Sequence, residues 1–358
     1  RQQVDQSHQQ KLIQVHGRSP WSGEFTRPTR QQTGTVKMQH ELSTVFLDRA
    51  TLDLGDLDLT ALEQACASFT SYPRTSPQQT AERLAGRQVV ITNKVVIDRA
   101  MMQANPHLKL ILIAATGTNN VDLQAARELD IVVCNCQAYG TPAVAQHTLM
   151  LMLVLITRFE SYRHAVRDGE WQRSEQFCLL DYPIGELAGR TLGILGYGEL
   201  GQAVARLAEA FGMKVLVGSL PGRERSGRPA ITDLLPQIDV LSLHCPLTEQ
   251  TRDLIGEAEL ALMKPGSLLI NTGRGGLVNE KALAAALRDG HLAGAACDVL
   301  TVEPPVNGNP LLDNSIPNLV VTPHSAWGSR EARQRIVGQL EANLHSFVSG
   351  RPQRQVNP

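Results

Sequence analysis

The sequence predicts an α/β protein made of two doubly wound parallel-sheet domains, and three observations carry that prediction. Short apolar runs alternate with helical patterns along most of the 358 residues, the rhythm of βαβ units and parallel sheets. A glycine-rich strand-to-helix turn, Gly196-Tyr197-Gly198-Glu199-Leu200-Gly201, falls just past the midpoint. About half of the chain therefore precedes the turn and must form a unit of its own, as a length of roughly two domains suggests.

Residues 1–37 stand apart from the rest. They are dominated by Gln, Ser, Thr and Arg, lack apolar periodicity and include Ser19-Pro20-Trp21-Ser22-Gly23, so they are read as a leader or disordered segment outside the fold. From Met38 the runs 45–47, 89–91, 110–114 and 131–133 are expected to be buried strands, separated by helices around 59–67, 77–84, 97–104 and 122–129. These make a flavodoxin-like first domain over 38–138. One long helix is expected over 141–169, with Pro142 at a favoured first-turn position. Its Ala, Leu, Met and Val run is apolar nearly all round, which predicts burial between domains or subunits.

The glycine turn opens the second domain, expected over 139–324. An apolar strand from Thr191 runs into Gly196, a helical pattern follows over 202–211, and a second strand over 214–218 completes a βαβ unit. This is the context of a Rossmann dinucleotide-binding turn. Gly196 permits the tight turn, Gly198 lets backbone approach a pyrophosphate, and Gly201 lets helix pack on strand. Further strands are expected over 240–243, 267–270, 294–298 and 319–322, with helices over 232–235, 257–263 and 279–289. The last helix, 329–349, lies beyond the nucleotide sheet and is expected to return, with 325–352, to the first domain.

Composition excludes several classes of function. A net charge of −1 leaves no basic excess for nucleic acid. No apolar run approaches the roughly 18 residues of a membrane span. Six cysteines lack paired metal spacing. They are read as buried reduced thiols of a cytoplasmic protein, and no metal site is expected.

In an open α/β sheet, ligands bind outside the carboxyl ends of the strands. Three ionisable residues fall there in succession: Arg274, Glu303 and His324. Arg274 offers a forked pair of donors to a carboxylate or carbonyl oxygen. Glu303 is placed to hold an imidazole in one tautomer, and His324 to exchange a proton with a substrate oxygen.

These residues lie in specific motifs: Leu243-His244-Cys245-Pro246-Leu247-Thr248, Met263-Lys264-Pro265-Gly266, Asn271-Thr272-Gly273-Arg274-Gly275-Gly276, Cys297-Asp298-Val299 with Glu303-Pro304, and Thr322-Pro323-His324. With the glycine turn, they make the chain from Met38 onward resemble the D-2-hydroxyacid dehydrogenase family. Asn93-Lys94, Thr116-Gly117, Tyr139-Gly140-Thr141 and Trp327-Gly328-Ser329 look most like its hydroxypyruvate and glyoxylate reductases, also called glycerate dehydrogenases. The resemblance implies a catalytic set Arg274, Glu303 and His324. It also implies a substrate site in the first domain, with the Thr116 and Gly117 amides on the carboxylate and Lys94 beside them. Cofactor contacts are implied for His244, Cys245, Pro246, Thr251, Thr272, Gly273 and His324, and for Asp298 on the nicotinamide carboxamide. A homodimer is implied as well. Asn279, where the family usually has Asp, is expected to cap its helix equally well.

The activity so implied is reversible hydride transfer between a nicotinamide and C2 of a small 2-keto acid, with protonated His324 as proton donor and Glu303 favouring its charge. Closure about hinges near 137–140 and 323–325 is expected to exclude water. NAD sites of this fold carry an acidic residue about 20 residues past the fingerprint; Ser219 stands there instead, followed by Arg223 and Arg225. NADP is therefore expected ahead of NAD. A phosphoglycerate dehydrogenase-like enzyme and a cofactor-sensing, corepressor-like binding protein are the alternatives.

Overall fold

The computed structural model describes residues 42–358, so the leader expected over 1–37 lies outside the described residues. The first unit runs β1 Ser43–Phe46, α1 Thr60–Gln64, β2 Ser68–Ser71, α2 Pro77–Leu84, β3 Val89–Thr92, α3 Arg99–Gln103, β4 Leu110–Ile113, α4 Leu123–Glu128 and β5 Val132–Cys134. All pairings are parallel, in the flavodoxin-like order β2-β1-β3-β4-β5. Central β3 and β4 are buried at every residue, which is why their sequences show no polar alternation. Asp98 and Asp122 start α3 and α4 by accepting the Met101 and Ala125 amides, each at 2.9 Å. β2 was not expected. Ser68-Phe69-Thr70-Ser71 offers one large apolar side chain because it forms an edge that is mostly half-exposed.

The second unit follows as α5 Thr141–Ile156, α6 Phe159–Arg167, α7 Glu170–Arg173, β6 Thr191–Leu195, α8 Glu199–Ala210, β7 Lys214–Gly218, α9 Ile231–Leu234, β8 Val240–Leu243, α10 Glu257–Leu262, β9 Leu268–Asn271, α11 Glu280–Arg288, β10 Gly294–Cys297 and β11 Leu319–Val321, and the chain closes with α12 Arg330–Val348. The parallel sheet has the order β11-β10-β9-β8-β6-β7. Its direction of build-up switches between β6 and β8, which opens a crevice at their carboxyl ends. Beyond β7, where the usual dinucleotide fold adds a strand, Ser219 N–H donates to the Pro229 carbonyl at 2.9 Å.

Two expectations about 141–169 need correction. The single helix is two, bent by 62° at a break, because Thr157 ends the first and Arg158 is left-handed with φ +56°. Gly185 N–H closes that end on the Ile156 carbonyl at 2.8 Å. Nor is α5 sandwiched between domains. It lies along α8 and against β9, β10 and β11, burying Ala145, Leu151, Met152 and Leu155 within its own unit, while Val144 in its first turn borders the cleft. No single described helix is long and apolar enough to cross a membrane.

α12 returns as expected. Ile336, Val337, Leu340 and Leu344 join the core made by Phe46, Ile91, Leu110 and Leu112. Arg333 grips Asp56 with two bonds of 2.8 and 2.7 Å. The chain thus crosses between the units near residue 138 and again near 324.

Candidate active site

At the end of β6 the chain turns at Gly196, with φ +96°. A Cβ there would lie 2.4 Å from the Cys245 amide nitrogen. At Gly201 a Cβ would lie 2.2 Å from the Gly196 carbonyl oxygen, so α8 packs on β6 closer than any side chain permits. Gly198 between them has open space on its Cβ side and borders the cleft. It starts α8 with no side-chain cap. An uncapped helix N-terminus reached over a bare glycine suits a pyrophosphate, so these residues fit the dinucleotide that the turn implies. Glu199 is drawn aside by the Thr141 hydroxyl at 2.8 Å. His244 also borders the cleft. Its Nε2 pairs with the Ser242 hydroxyl at 2.8 Å, its buried Nδ1 has no partner among the described residues, and burial pushes the imidazole down to about 4, hence neutral.

The carboxyl ends of β9, β10 and β11 bring Arg274, Glu303 and His324 together. Asn271 shapes the first turn by accepting the Gly273 amide at 3.1 Å and donating to the Arg274 carbonyl at 3.0 Å. The exposed Arg274 guanidinium bonds the Gly273 carbonyl through Nη1 at 2.8 Å and borders the cleft. His324 Nδ1 lies 2.5 Å from Glu303 Oε2, and Glu303 Oε1 accepts the Leu300 amide at 2.8 Å. Burial works to raise the Glu303 carboxyl. The His324 bond, the Leu300 amide and the positive charges of His324 and Lys94 outweigh it, so the group sits below the usual carboxylate range. With Nδ1 held, Nε2 is the nitrogen left for proton exchange.

Asp298, 2 % exposed, ties this corner together. Its carboxylate accepts the Thr322 hydroxyl at 2.5 Å and the Ser325 and Ala326 amides at 2.9 and 3.0 Å, while its carbonyl takes the His324 amide at 2.8 Å.

The facing wall belongs to the first sheet. Thr116 and Gly117 follow β4 and border the cleft; the Thr116 hydroxyl donates to the Cys136 carbonyl at 2.9 Å, and its own carbonyl takes Asn135 Nδ2 at 2.8 Å. Lys94 borders the cleft too, on a turn built by a residue sequence reasoning missed. Buried Asp48 gathers the amides of Asn93, Lys94 and Val95 at 2.9, 2.6 and 3.3 Å. Burial raises its carboxyl above the ordinary value although these bonds oppose it. Tyr139 and Trp327, one at each crossing, meet edge-to-face at 6.1 Å.

The result is a cleft of about 500 Å³ between the two sheets, bordered by Lys94, Thr116, Gly117, Arg274, Asp298 and His324 together with the Gly198 turn and Thr272. Residues 149–326 match the family model described as D-isomer specific 2-hydroxyacid dehydrogenase, NAD binding domain. The chain is 44 % identical over 313 residues to a glycerate dehydrogenase of Methylorubrum extorquens, covering 87 % of this chain and 98 % of that protein. It belongs to the D-2-hydroxyacid dehydrogenases. A hydroxypyruvate reductase of Blautia hydrogenotrophica is 36 % identical over 87 % of this chain and 99 % of that one. Among solved structures, the TT0316 protein of Thermus thermophilus superposes with a TM-score of 0.76 at 35 % identity, over 87 % of this chain and 99 % of that chain.

Other expected contacts of this dehydrogenase lie off the cleft surface. Tyr197, Cys245, Pro246 and Gly273 build the surrounding turns. Thr251 accepts the Thr248 amide at 2.7 Å and donates to the Pro246 carbonyl at 2.8 Å, which occupies its hydroxyl within its own turn. Ser219 is buried, its hydroxyl donating to the Arg228 carbonyl at 3.3 Å and accepting the Arg225 amide at 3.2 Å. That hydroxyl organises the loop instead of pointing outward. The loop leaves Arg223 exposed and sets Arg228, which sequence reading passed over, 5.5 Å from the Tyr197 ring centre. Asn279 does cap α11, accepting the Ala282 amide at 3.1 Å. Five cysteines are buried free thiols, but Cys178 is half-exposed.

Proposed function

We propose that the chain is an NADPH-preferring reductase of hydroxypyruvate and glyoxylate, forming the D-2-hydroxy acid. One observation carries the reading: Arg274, the Glu303-bound His324 and the Thr116–Gly117 loop border a single cleft with the open Gly198 turn. When bound, the nicotinamide supplies the hydride that adds to C2 of the keto acid. Arg274 and the amides of Thr116 and Gly117 grip the substrate carboxylate, with Lys94 adding positive charge, and Arg274 polarises the keto oxygen. Protonated His324 gives that oxygen a proton from Nε2 while Glu303 keeps Nδ1. Hydride and proton together turn C=O into CH–OH. Asp298 would hold the carboxamide of the bound nicotinamide.

Closure of a substrate domain, 38–138 plus 325–352, against a nucleotide domain, 139–324, excludes water from this step. Left-handed Ala138 (φ +56°) and His324 (φ +51°), one at each crossing, support bending there. The NADPH preference is supported by a buried serine in place of a carboxylate at 219 and by Arg223, Arg225 and Arg228 on one loop. The protein acts as a homodimer, a reading supported by exposed Phe159, Trp171, Phe177 and Leu180, and in the cytoplasm, a reading supported by its free cysteines.

The test is a panel of initial rates with hydroxypyruvate, glyoxylate, 3-phosphohydroxypyruvate and phenylpyruvate, each with NADPH and NADH. Two- and three-carbon acids are expected to give the highest kcat/KM, with NADPH ahead by about tenfold. Faster turnover of phenylpyruvate or a tenfold NADH preference overturns the corresponding part, and cofactor binding without turnover of any keto acid points to a sensing protein.

A further inference from the structure

His147 sits in the apolar run of α5, yet its side chain reaches the site corner instead of solvent. Its Nε2 lies 3.1 Å from the Thr322 hydroxyl and 3.7 Å from Asp298 Oδ1. Proton counting fixes the direction of each bond. The Thr322 hydroxyl has one proton, given to Asp298 Oδ1. It must therefore accept from His147, which puts the imidazole in the Nε2–H tautomer. The donors run in one direction, from His147 through Thr322 to Asp298.

The Asp298 carboxylate is then nearly saturated. Oδ1 takes the Thr322 hydroxyl and the Ser325 amide, and Oδ2 takes the Ala326 amide. One acceptor site remains on Oδ2, and Asp298 borders the cleft. We propose that His147 is a positioning residue for the cofactor: its N–H, relayed through Thr322, fixes the Asp298 carboxylate so that its remaining acceptor site meets the nicotinamide carboxamide. This rests on the reading that Asp298 holds that group. Burial lowers the imidazole below its ordinary value against the opposing pull of Asp298, so a single ring N–H is present at neutral pH and the relay has one donor to use. Around metal ions, partners that orient a ligating side chain alter affinity when replaced, and the same physical logic applies to a carboxylate oriented on a cofactor.

The experiment measures dissociation constants of NADPH by its fluorescence and of 2′-phospho-ADP-ribose, which lacks nicotinamide, by competition. His147→Phe and Thr322→Val should each weaken NADPH about five- to tenfold and leave 2′-phospho-ADP-ribose within about twofold, since one relayed hydrogen bond is lost. His147→Gln, which retains a donor at the Nε2 position, should recover most of the affinity. NADPH binding unchanged in both the Phe and Val variants overturns the relay, as does an equal loss for both ligands or failure of Gln to recover. Asp298→Asn separates the two readings. If it too weakens NADPH alone, the Asp298 reading stands whatever His147 does; if it leaves NADPH binding unchanged, both readings fall.

Discussion

At the residue scale the proposed chemistry rests on a few groups whose partners are fixed. If His324 is the proton donor, His324→Ala should lower kcat by about 10² to 10⁴, with NADPH binding nearly intact by fluorescence titration. Arg274→Lys should raise KM for hydroxypyruvate and lower kcat, because a point charge cannot reproduce a planar two-donor fork; wild-type constants would refute the assignment. Glu303 is held ionised below the usual carboxylate range and bonds the His324 ring. If it orients that ring for the proposed proton transfer, Glu303→Gln should lower kcat and leave NADPH binding nearly intact, and a wild-type kcat would show that Glu303 is not the partner. That Arg274, Glu303 and His324 meet at the carboxyl ends of neighbouring strands was legible because each is an ionisable residue following an apolar strand. Asp48 and His147 were not: their partners lie 45 and 175 residues away in sequence, and a lone histidine in an apolar helix carries no local sign of what it faces.

At the element scale, strands buried on both faces announced themselves as unbroken apolar runs, whereas edge strand β2 and the break at Arg158 depend on neighbours that the local pattern does not contain. The 219–230 loop shows the same division. The missing carboxylate was readable, but the inward turn of the Ser219 hydroxyl and the approach of Arg228 to Tyr197 follow from tertiary closure. A charge-assisted contact to a 2′-phosphate contributes roughly 1.5 to 3 kcal/mol, about ten- to hundredfold in affinity. Arg223→Ala or Arg228→Ala should raise KM for NADPH by a factor in that range and hardly change KM for NADH; equal effects on both cofactors would remove the loop from phosphate recognition. The docking of α12 gives a test of stability. The Arg333 guanidinium holds the Asp56 carboxyl down to about 2 from 3.8. Its contribution is therefore complete above pH 3.8 and lost as pH falls toward 2. The Tm difference between wild type and Asp56→Asn should shrink through that window, and a pH-independent difference would deny the ion pair its role.

At the scale of the whole molecule, the expectation of a homodimer rested in part on an apolar 141–169 helix in need of cover, and the structure removes that reason. α5 already buries its inward face on α8 and the second sheet. What stays uncovered is the chain after the bend: Phe159, Val166, Trp171, Phe177, Leu180 and Ile184 all stand in solvent, with Phe177 90 % and Leu180 76 % exposed. Scattered apolar side chains on a surface need no explanation, but six exposed within 26 residues of one excursion is a concentration that an interface would use. A twofold axis would let this excursion on one protomer meet the same excursion on its partner, each covering the other. The double variant Phe177→Glu with Leu180→Glu puts four like charges into that contact in the dimer and alters no residue of the cleft. Sedimentation velocity should give a dimer for the wild-type protein at micromolar concentration and a monomer for the variant. A wild-type monomer, or a variant that still sediments as a dimer, would place the interface elsewhere or remove it.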